Sequence, residues 1–289
     1  DMKLEKKAVP VIKDMNETTC SIYLTYVLSD TPEDETTDYY NVTDFYRMRY
    51  AQSRVMLLDF DRNTQELYDG KHTELTSKGI DLGVVAKDVQ YQSNKSSDIV
   101  AFVQEGELWS YNRSANKTTQ IFSFRDGDLD DRENLQEHGV KIVRVEESGD
   151  IDFVVYGYMN RGTYEGQMGV VFYHYDEDSH TVQEKFFVPV SEGYDQLESD
   201  ITTLAYLGED GMTYLLLNGK VTGIDLNSNE SVTVAYGLSQ GSFAVSADGS
   251  RMAWQEGNNA YQSEMLHVMD FNTAQKQDIT APSGDYVRA

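Results

Sequence analysis

The chain has 289 residues, with 24 Lys+Arg against 49 Asp+Glu, a net charge of −25 and 39% hydrophobic residues. That apolar content supports a packed core and excludes a disordered polymer, while the negative surplus repels nucleic-acid phosphates and anionic lipid, so neither nucleic-acid binding nor direct membrane insertion is expected. A lone cysteine, Cys20, excludes an intramolecular disulfide and any zinc site built on thiolates.

Apolar residues recur at helical spacing over no long window, and the short apolar runs are β-branched and aromatic, so the chain is expected to be all-β. The N-terminal Val9-Pro10-Val11-Ile12 reads as an edge strand, since proline cannot donate to a ladder. Ile22-Tyr23-Leu24-Thr25-Tyr26 reads as the next strand. From Ser29 to Ser53 the pattern breaks into a long insertion, acidic at Asp30, Glu33, Asp34, Glu35 and Asp38 and tyrosine-rich after that. Further strands are expected at 99–103, 140–145, 153–156, 201–206, 214–217, 243–245 and 252–254.

Five times a strand ends in a polar residue, then an aromatic or Leu, then Asp or Asn: Asp59-Phe60-Asp61, Ser110-Tyr111-Asn112, His174-Tyr175-Asp176, Asp225-Leu226-Asn227 and Asp270-Phe271-Asn272. Their central residues lie 51, 64, 51 and 45 apart. Asp and Asn bond their own backbone and suit a tight hairpin, and each is followed by another β-prone run. Four strands per unit at a period of about 50 is the pattern of β-propeller blades, each sheet covering its neighbours; five in-phase units favour it over a β-sandwich. The expectation is one propeller domain over 1–289 of about five four-stranded blades, near 1–70, 71–124, 125–190, 191–238 and 239–289, either a whole small propeller or part of a larger one. Strand exchange between Val9–Ile12 and Tyr286-Val287 is the expected means of closure, because nothing covalent staples the chain.

At Ser246-Ala247-Asp248-Gly249-Ser250-Arg251-Met252-Ala253-Trp254 the sequence resembles the TolB-like, WD-repeat-like bacterial propeller family, in which a Ser-x-Asp-Gly turn joins the first two strands of a blade. Glu209-Asp210-Gly211 and Glu147-Ser148-Gly149-Asp150 look like variants of that turn, and Asn94-Lys95-Ser96-Ser97-Asp98 stands in its place in the second unit. The resemblance covers residues 80 to 282 and implies an architecture. Such propellers serve as binding platforms, enzyme gates and scaffolds.

Loops joining the second to the third strand, and the fourth strand to the next blade, open on one face, and the insertions fall there. Tyr39, Tyr40 and Tyr46 in the first insertion, Tyr158 and Tyr164 in a third-unit insertion (157–168) and Tyr261 in the fifth (256–264) are the candidate ligand-binding residues. Exposed tyrosines offer flat apolar faces with polar tips, suited to stacking on sugars or gripping a peptide. Asp126, Asp128, Asp130 and Glu137 fall at positions one, three, five and twelve of a calcium-loop spacing, although Asp131 stands where that loop needs glycine. Calcium is therefore the one cofactor considered, with none otherwise expected.

The five histidines (72, 138, 174, 180, 267) are scattered, and neither a phosphate-cradling loop nor a dinucleotide fingerprint is present. The sequence reading is a non-catalytic binding or scaffold module, extracellular or on the cell surface of a bacterium, presenting tyrosine-rich loops to a protein, peptide or glycan. The alternatives are a propeller-type carbohydrate-active enzyme using paired carboxylates, or the regulatory propeller of a peptidase.

Overall fold

The computed structural model describes all residues except 1, 6, 33–36, 71–73, 77–78, 82–88, 126–131, 133–134, 136, 256–264 and 281–289. Sheet one holds β1 (Lys3–Leu4), β2 (Val9–Met15), β3 (Thr19–Asp30), β4 (Asp38–Ala51) and β5 (Arg54–Glu66), in the order β1-β3-β4-β5 with β2 also paired to β3. A two-stranded ribbon, β6 (Glu74–Thr76) and β7 (Gly79–Asp81), follows. Sheet two is β8 (Tyr91–Ser93), β9 (Ile99–Gln104), β10 (Glu107–Asn112) and β11 (Lys117–Phe122). Sheet three is β12 (His138–Val145), β13 (Ile151–Tyr158), β14 (Met168–Asp176) and β15 (Thr181–Pro189). The helix α1 (Tyr194–Thr203) leads into sheet four, β16 (Ala205–Leu207), β17 (Met212–Leu217), β18 (Lys220–Asp225) and β19 (Ser231–Ala235). Sheet five is β20 (Phe243–Val245), β21 (Arg251–Trp254), β22 (Met265–Asp270) and β23 (Gln275–Thr280).

Sheets two to five are four-stranded antiparallel meanders whose strands pair in chain order, which is the blade architecture of a β-propeller. Contact clustering divides the chain into two units, one of residues 1–90, 102–111 and 115–136, the other of 91–101, 112–114 and 137–289. In the second unit the opening strands stand side by side, β8 beside β12 and β12 beside β16. Central strand β13 is covered on both faces: Phe153, Val154 and Val155 have no exposed surface, and Tyr156 only 4%. Double covering explains why this segment reads as an unbroken apolar run rather than an alternation.

Two clusters hold this unit together. Val154, Tyr156, Val170 and Phe172 of sheet three pack with Leu197 and Ile201 of α1 and with Ala205, Leu215 and Ile224 of sheet four. Tyr214, Leu216 and Val221 of sheet four pack with Met252, Trp254, Met269 and Phe271 of sheet five. The repeat aromatics occupy such places: Tyr111 and Phe271 are fully buried and Tyr175 is 2% exposed. In the first unit Tyr111 clusters with Tyr68, Phe102 and Trp109, the Tyr68 ring meeting the other two edge-on.

The quoted turns close as their composition demands. Asp248 accepts hydrogen bonds from the Ser246 and Ser250 hydroxyls (2.6 and 2.8 Å) and from the Ser250 N–H, while Gly249 takes φ +74°. In sheet two the Asn94 Oδ1 accepts from the Asp98 and Ile99 N–H groups instead. After the third strands, Asp225 and Asp270 each accept two backbone N–H groups, and Asp176 accepts the Ser179 N–H. These bonds favour the ionised carboxyls of Asp176 and Asp225, and for Asp270 the Arg251 side chain leads ahead of the backbone bonds, so all three lie below the ordinary value of 3.8, while Asp248 is held at about 2 with the Ser246 hydroxyl the leading cause. A carboxyl depressed in the folded state stabilises it above the unfolded pKa and loses that contribution as pH falls through the folded one. The thermal midpoint should therefore hold from about pH 7 to 5 and drop between about pH 4 and 2, measured by circular dichroism melts. A midpoint that rises on acidification would show relief of charge repulsion to be dominant instead.

Three expectations need correction. The insertion at 29–53 is mostly strand: Asp38–Ala51 pairs with β3 and β5 along its length, so Tyr39, Tyr40 and Tyr46 stand on β4 rather than in a loop, and Asp59-Phe60-Asp61 lies inside β5 rather than at a hairpin. The expected strand at 201–206 is helical up to Thr203, because Leu197 and Ile201, four residues apart, bury one face between sheets three and four. The segment Val9–Ile12 pairs with β3 inside sheet one. Tyr286-Val287 lies outside the described residues.

Candidate functional site

The face of interest in the second unit is built where β13 runs out into the connection to β14 and where α1 enters sheet four. Gly157, at φ +116°, lets β13 continue past the backbone of Glu137 and His138, where any side chain would collide. The Tyr158 N–H donates to the Glu137 carbonyl at 2.8 Å, and Met159 and Gly166 clasp the connection through the Gly166 N–H to Met159 carbonyl bond. Tyr156 is buried within β13, and Tyr158, half-buried, ends that strand after Gly157. Tyr194, on the first turn of α1, lies parallel to the Tyr156 ring with centroids 6.1 Å apart, and its hydroxyl donates to Glu198 at 3.1 Å. Burial pushes the Tyr156 phenol up to about 12 and raises that of Tyr194, so both remain protonated donors at neutral pH.

Charge around α1 is fixed by the fold. Lys141 donates from Nζ to the Ile201 and Thr202 carbonyls, both at 2.9 Å, capping the helix C-terminus, and burial pushes its pKa down to about 8. Asp200 accepts the Asn218 N–H and the Gln196 amide, each at 2.6 Å. Glu192, just before the helix, has its pKa raised by burial and then by the charge of Asp200.

The four buried carboxylates among the described residues are all engaged. Asp44 receives Nε and NH2 of Arg62 at 2.6 and 2.8 Å and the hydroxyls of Tyr26 and Tyr46, and its carboxyl is held low first of all by Arg62. Asp152 is bonded by Arg144 at 2.7 Å and by His174 Nδ1 at 2.8 Å. Glu107 meets Arg125, Ser123 and Gln120, and Asp200 is held as described. Among the described residues no group of three or more His, Cys, Asp or Glu side chains is placed to hold a metal ion. No helix among them is long and apolar enough to cross a membrane.

The six candidate tyrosines take separate places. Tyr39 is 40% exposed on β4 opposite Ser29, Tyr40 is half-buried beside it, and Tyr46 bonds Asp44. Tyr158 lies at the end of β13, and Tyr164, in the following connection, stacks on Phe187 at 4.0 Å. Tyr261, Asp126, Asp128 and Asp130 lie outside the described residues; Glu137 is described immediately before β12. Tyr194, Glu198 and Glu192 were not apparent from sequence, and the one signal for them is the Tyr194/Glu198 spacing of four, which has meaning only on a helix. A further match, Gly237-Leu238-Ser239-Gln240-Gly241, has the spacing of a nucleophile elbow. It leads into strand β20 rather than a helix, and the Ser239 N–H and carbonyl bond the Ser242 hydroxyl, so the strand-to-helix turn that gives the motif its chemistry is missing.

No family model matches the chain, and no curated protein matches it. Among solved structures it is similar to the tricorn protease, at 11% identity and a TM-score of 0.40 over 95% of this chain and 26% of that one. It is also similar to TolB from Acinetobacter baumannii, at 13% identity and a TM-score of 0.36 over 92% of this chain and 61% of that one. A third similarity is to an oligogalacturonate lyase from Vibrio parahaemolyticus, at 9% identity and a TM-score of 0.30, over 99% of this chain and 88% of the lyase. The chain thus spans about a quarter of the tricorn protease and about three fifths of TolB.

Proposed function

We propose that this chain is a non-catalytic binding module, working outside the cell or on the surface of a bacterium, that grips a protein, peptide or glycan segment with tyrosines held by its sheets. The observation that carries the reading is the half-buried Tyr194 ring on α1, lying parallel to the buried Tyr156 ring and bonded to the exposed Glu198, where a protonated phenol offers a donor beside a flat apolar ring. The engaged state of the four buried carboxylates supports binding over catalysis, since a general acid or base needs a free proton site near neutral pH. The 20 tyrosines, single cysteine and few basic residues support an exported location. Acidic neighbours favour a cationic or hydroxyl-rich ligand.

The test is a glycan microarray and a library of basic peptides probed with the wild-type chain and with Tyr158→Ala/Tyr194→Ala. Retention of one ligand class with affinity falling by about tenfold or more in the double variant is expected, at a midpoint within a few degrees of wild type. Equal binding by the variant, or no retention of either class, would remove the proposal. A second reading, hydrolysis of a carbohydrate, is favoured by the raised carboxyl of Glu192 close to Asp200. Turnover of an acidic or neutral oligosaccharide that disappears in Glu192→Gln would establish it.

A further inference from the structure

Sheet three carries a second group of aromatic rings, on the side of its strands opposite Tyr156. Register places Phe153, Tyr173 and Glu184 in one row across β13, β14 and β15, and Val155, Val171 and Phe187 in the next. Both valines are fully buried, whereas Tyr173 and Phe187 are half-buried and Glu184 is exposed. The Phe187 ring leans over Gly169, where any added side chain would collide with it. Tyr173 stacks on Phe153 with centroids 5.4 Å apart, so the floor of this surface is fixed by the sheet.

One side chain already sits on that floor, and it comes from a loop. Tyr164 lays its ring on Phe187 with centroids 4.0 Å apart and planes inclined by 13°, and its hydroxyl is hydrogen-bonded to the Glu184 carboxylate. The loop is held at its base, where the Met159 N–H donates to the Gln167 carbonyl and the Gly166 N–H to the Met159 carbonyl, both at 2.8 Å. Above that clasp Gly162, Thr163 and Glu165 are exposed, and an added Cβ at Gly162 or Gly166 would meet nothing within 4 Å. The tip can therefore move without disturbing the strands.

We propose that Phe187 and Glu184 form a binding site for a tyrosine side chain of a partner peptide, and that Tyr164 is the tethered occupant which such a peptide displaces. The occupant displays the chemistry the site selects: a flat ring of tyrosine size on Phe187 and a hydroxyl that donates to a carboxylate. A peptide tyrosine reproduces both contacts, so the exchange loses neither. Tethering sets the strength of the block, since a side chain on a short loop competes at an effective concentration of about millimolar or more. The inference goes beyond the binding reading above, because it uses the opposite face of sheet three and involves neither Tyr158 nor Tyr194.

NMR titration of the whole chain with N-acetyl-L-tyrosinamide tests it. The expected result is binding to Tyr164→Ala at least about tenfold tighter than to wild type, with Tyr164→Phe in between because it keeps the ring and gives up the hydroxyl bond. Adding Phe187→Ala or Glu184→Gln to Tyr164→Ala should weaken binding several-fold, whereas adding Tyr158→Ala/Tyr194→Ala should leave it unchanged. Glu184 is exposed, so its substitution keeps the test decisive where Phe187→Ala disturbs folding. Equal binding by Tyr164→Ala and wild type, binding that survives Glu184→Gln, or binding lost with the Tyr158/Tyr194 pair would overturn the proposal. Tighter binding of methyl β-D-galactoside than of the tyrosinamide by Tyr164→Ala would overturn it in favour of a glycan.

Discussion

Replacing Phe271 with Ala is expected to destabilise the chain by about 3–5 kcal/mol, the range for emptying a fully buried aromatic site. The ring fills the seam between sheets four and five, stacked 4.4 Å from Tyr214 and tilted against Tyr206 at 6.2 Å, in a cluster that also holds Met252, Trp254 and Met269. Its backbone is fixed as well, since the Phe271 N–H donates to the Ser250 carbonyl at 2.8 Å, so the surrounding residues cannot easily collapse into the space. A fall of about 10 °C in the thermal midpoint should accompany the loss. Tyr236→Ala is the matched control: that ring is 71% exposed, and its removal should change stability by no more than about 0.5 kcal/mol. Comparable losses from the two would mean that the seam between the sheets contributes little.

Gly157→Ala should cost about 3 kcal/mol or more, by strain rather than by a lost contact. At φ +116° an L side chain is already disfavoured, and its Cβ would press on the Glu137 carbonyl and the His138 Cα, both of them backbone. Relief requires β12 and β13 to separate beside Tyr158, so retention of the proposed ligand should fall together with stability. Gly166→Ala separates the two contributions: φ there is +86° but nothing lies within 4 Å of the added carbon, and about 1 kcal/mol is expected. Urea unfolding of both variants reads the difference, and equal costs would show the backbone collision to be absorbed.

The strands of sheets two to five are legible in sequence because their β-branched and aromatic runs end at Asp, Asn and Gly, whose turn chemistry is local. Phe153-Val154-Val155-Tyr156 and Tyr214-Leu215-Leu216-Leu217 fall inside β13 and β17 for that reason. Sheet one was harder to see. β4 alternates Tyr, Asp and Arg without a strong apolar side, and its residues mimic an acidic, tyrosine-rich loop until the partner strands reveal the pairing. The helix was hidden by its ending, Ile201-Thr202-Thr203, which is β-branched, while the decisive contacts of Leu197 and Ile201 come from two sheets distant in sequence. Of the proposed binding residues, Tyr158 could be picked from its setting in an insertion. Tyr194 could not, because it meets Tyr156 through tertiary packing 38 positions away. The buried pairs are likewise beyond a linear reading: Asp152 meets Arg144 and His174 only because the register aligns three strands.

Among the described residues, every sheet from the second to the fifth is completed by strands that follow one another in the chain. Ordering one costs only short loop closures, so pairing can begin as soon as its four segments have left the ribosome or an export channel. Assembly sheet by sheet from the N-terminal side is the order such a topology favours.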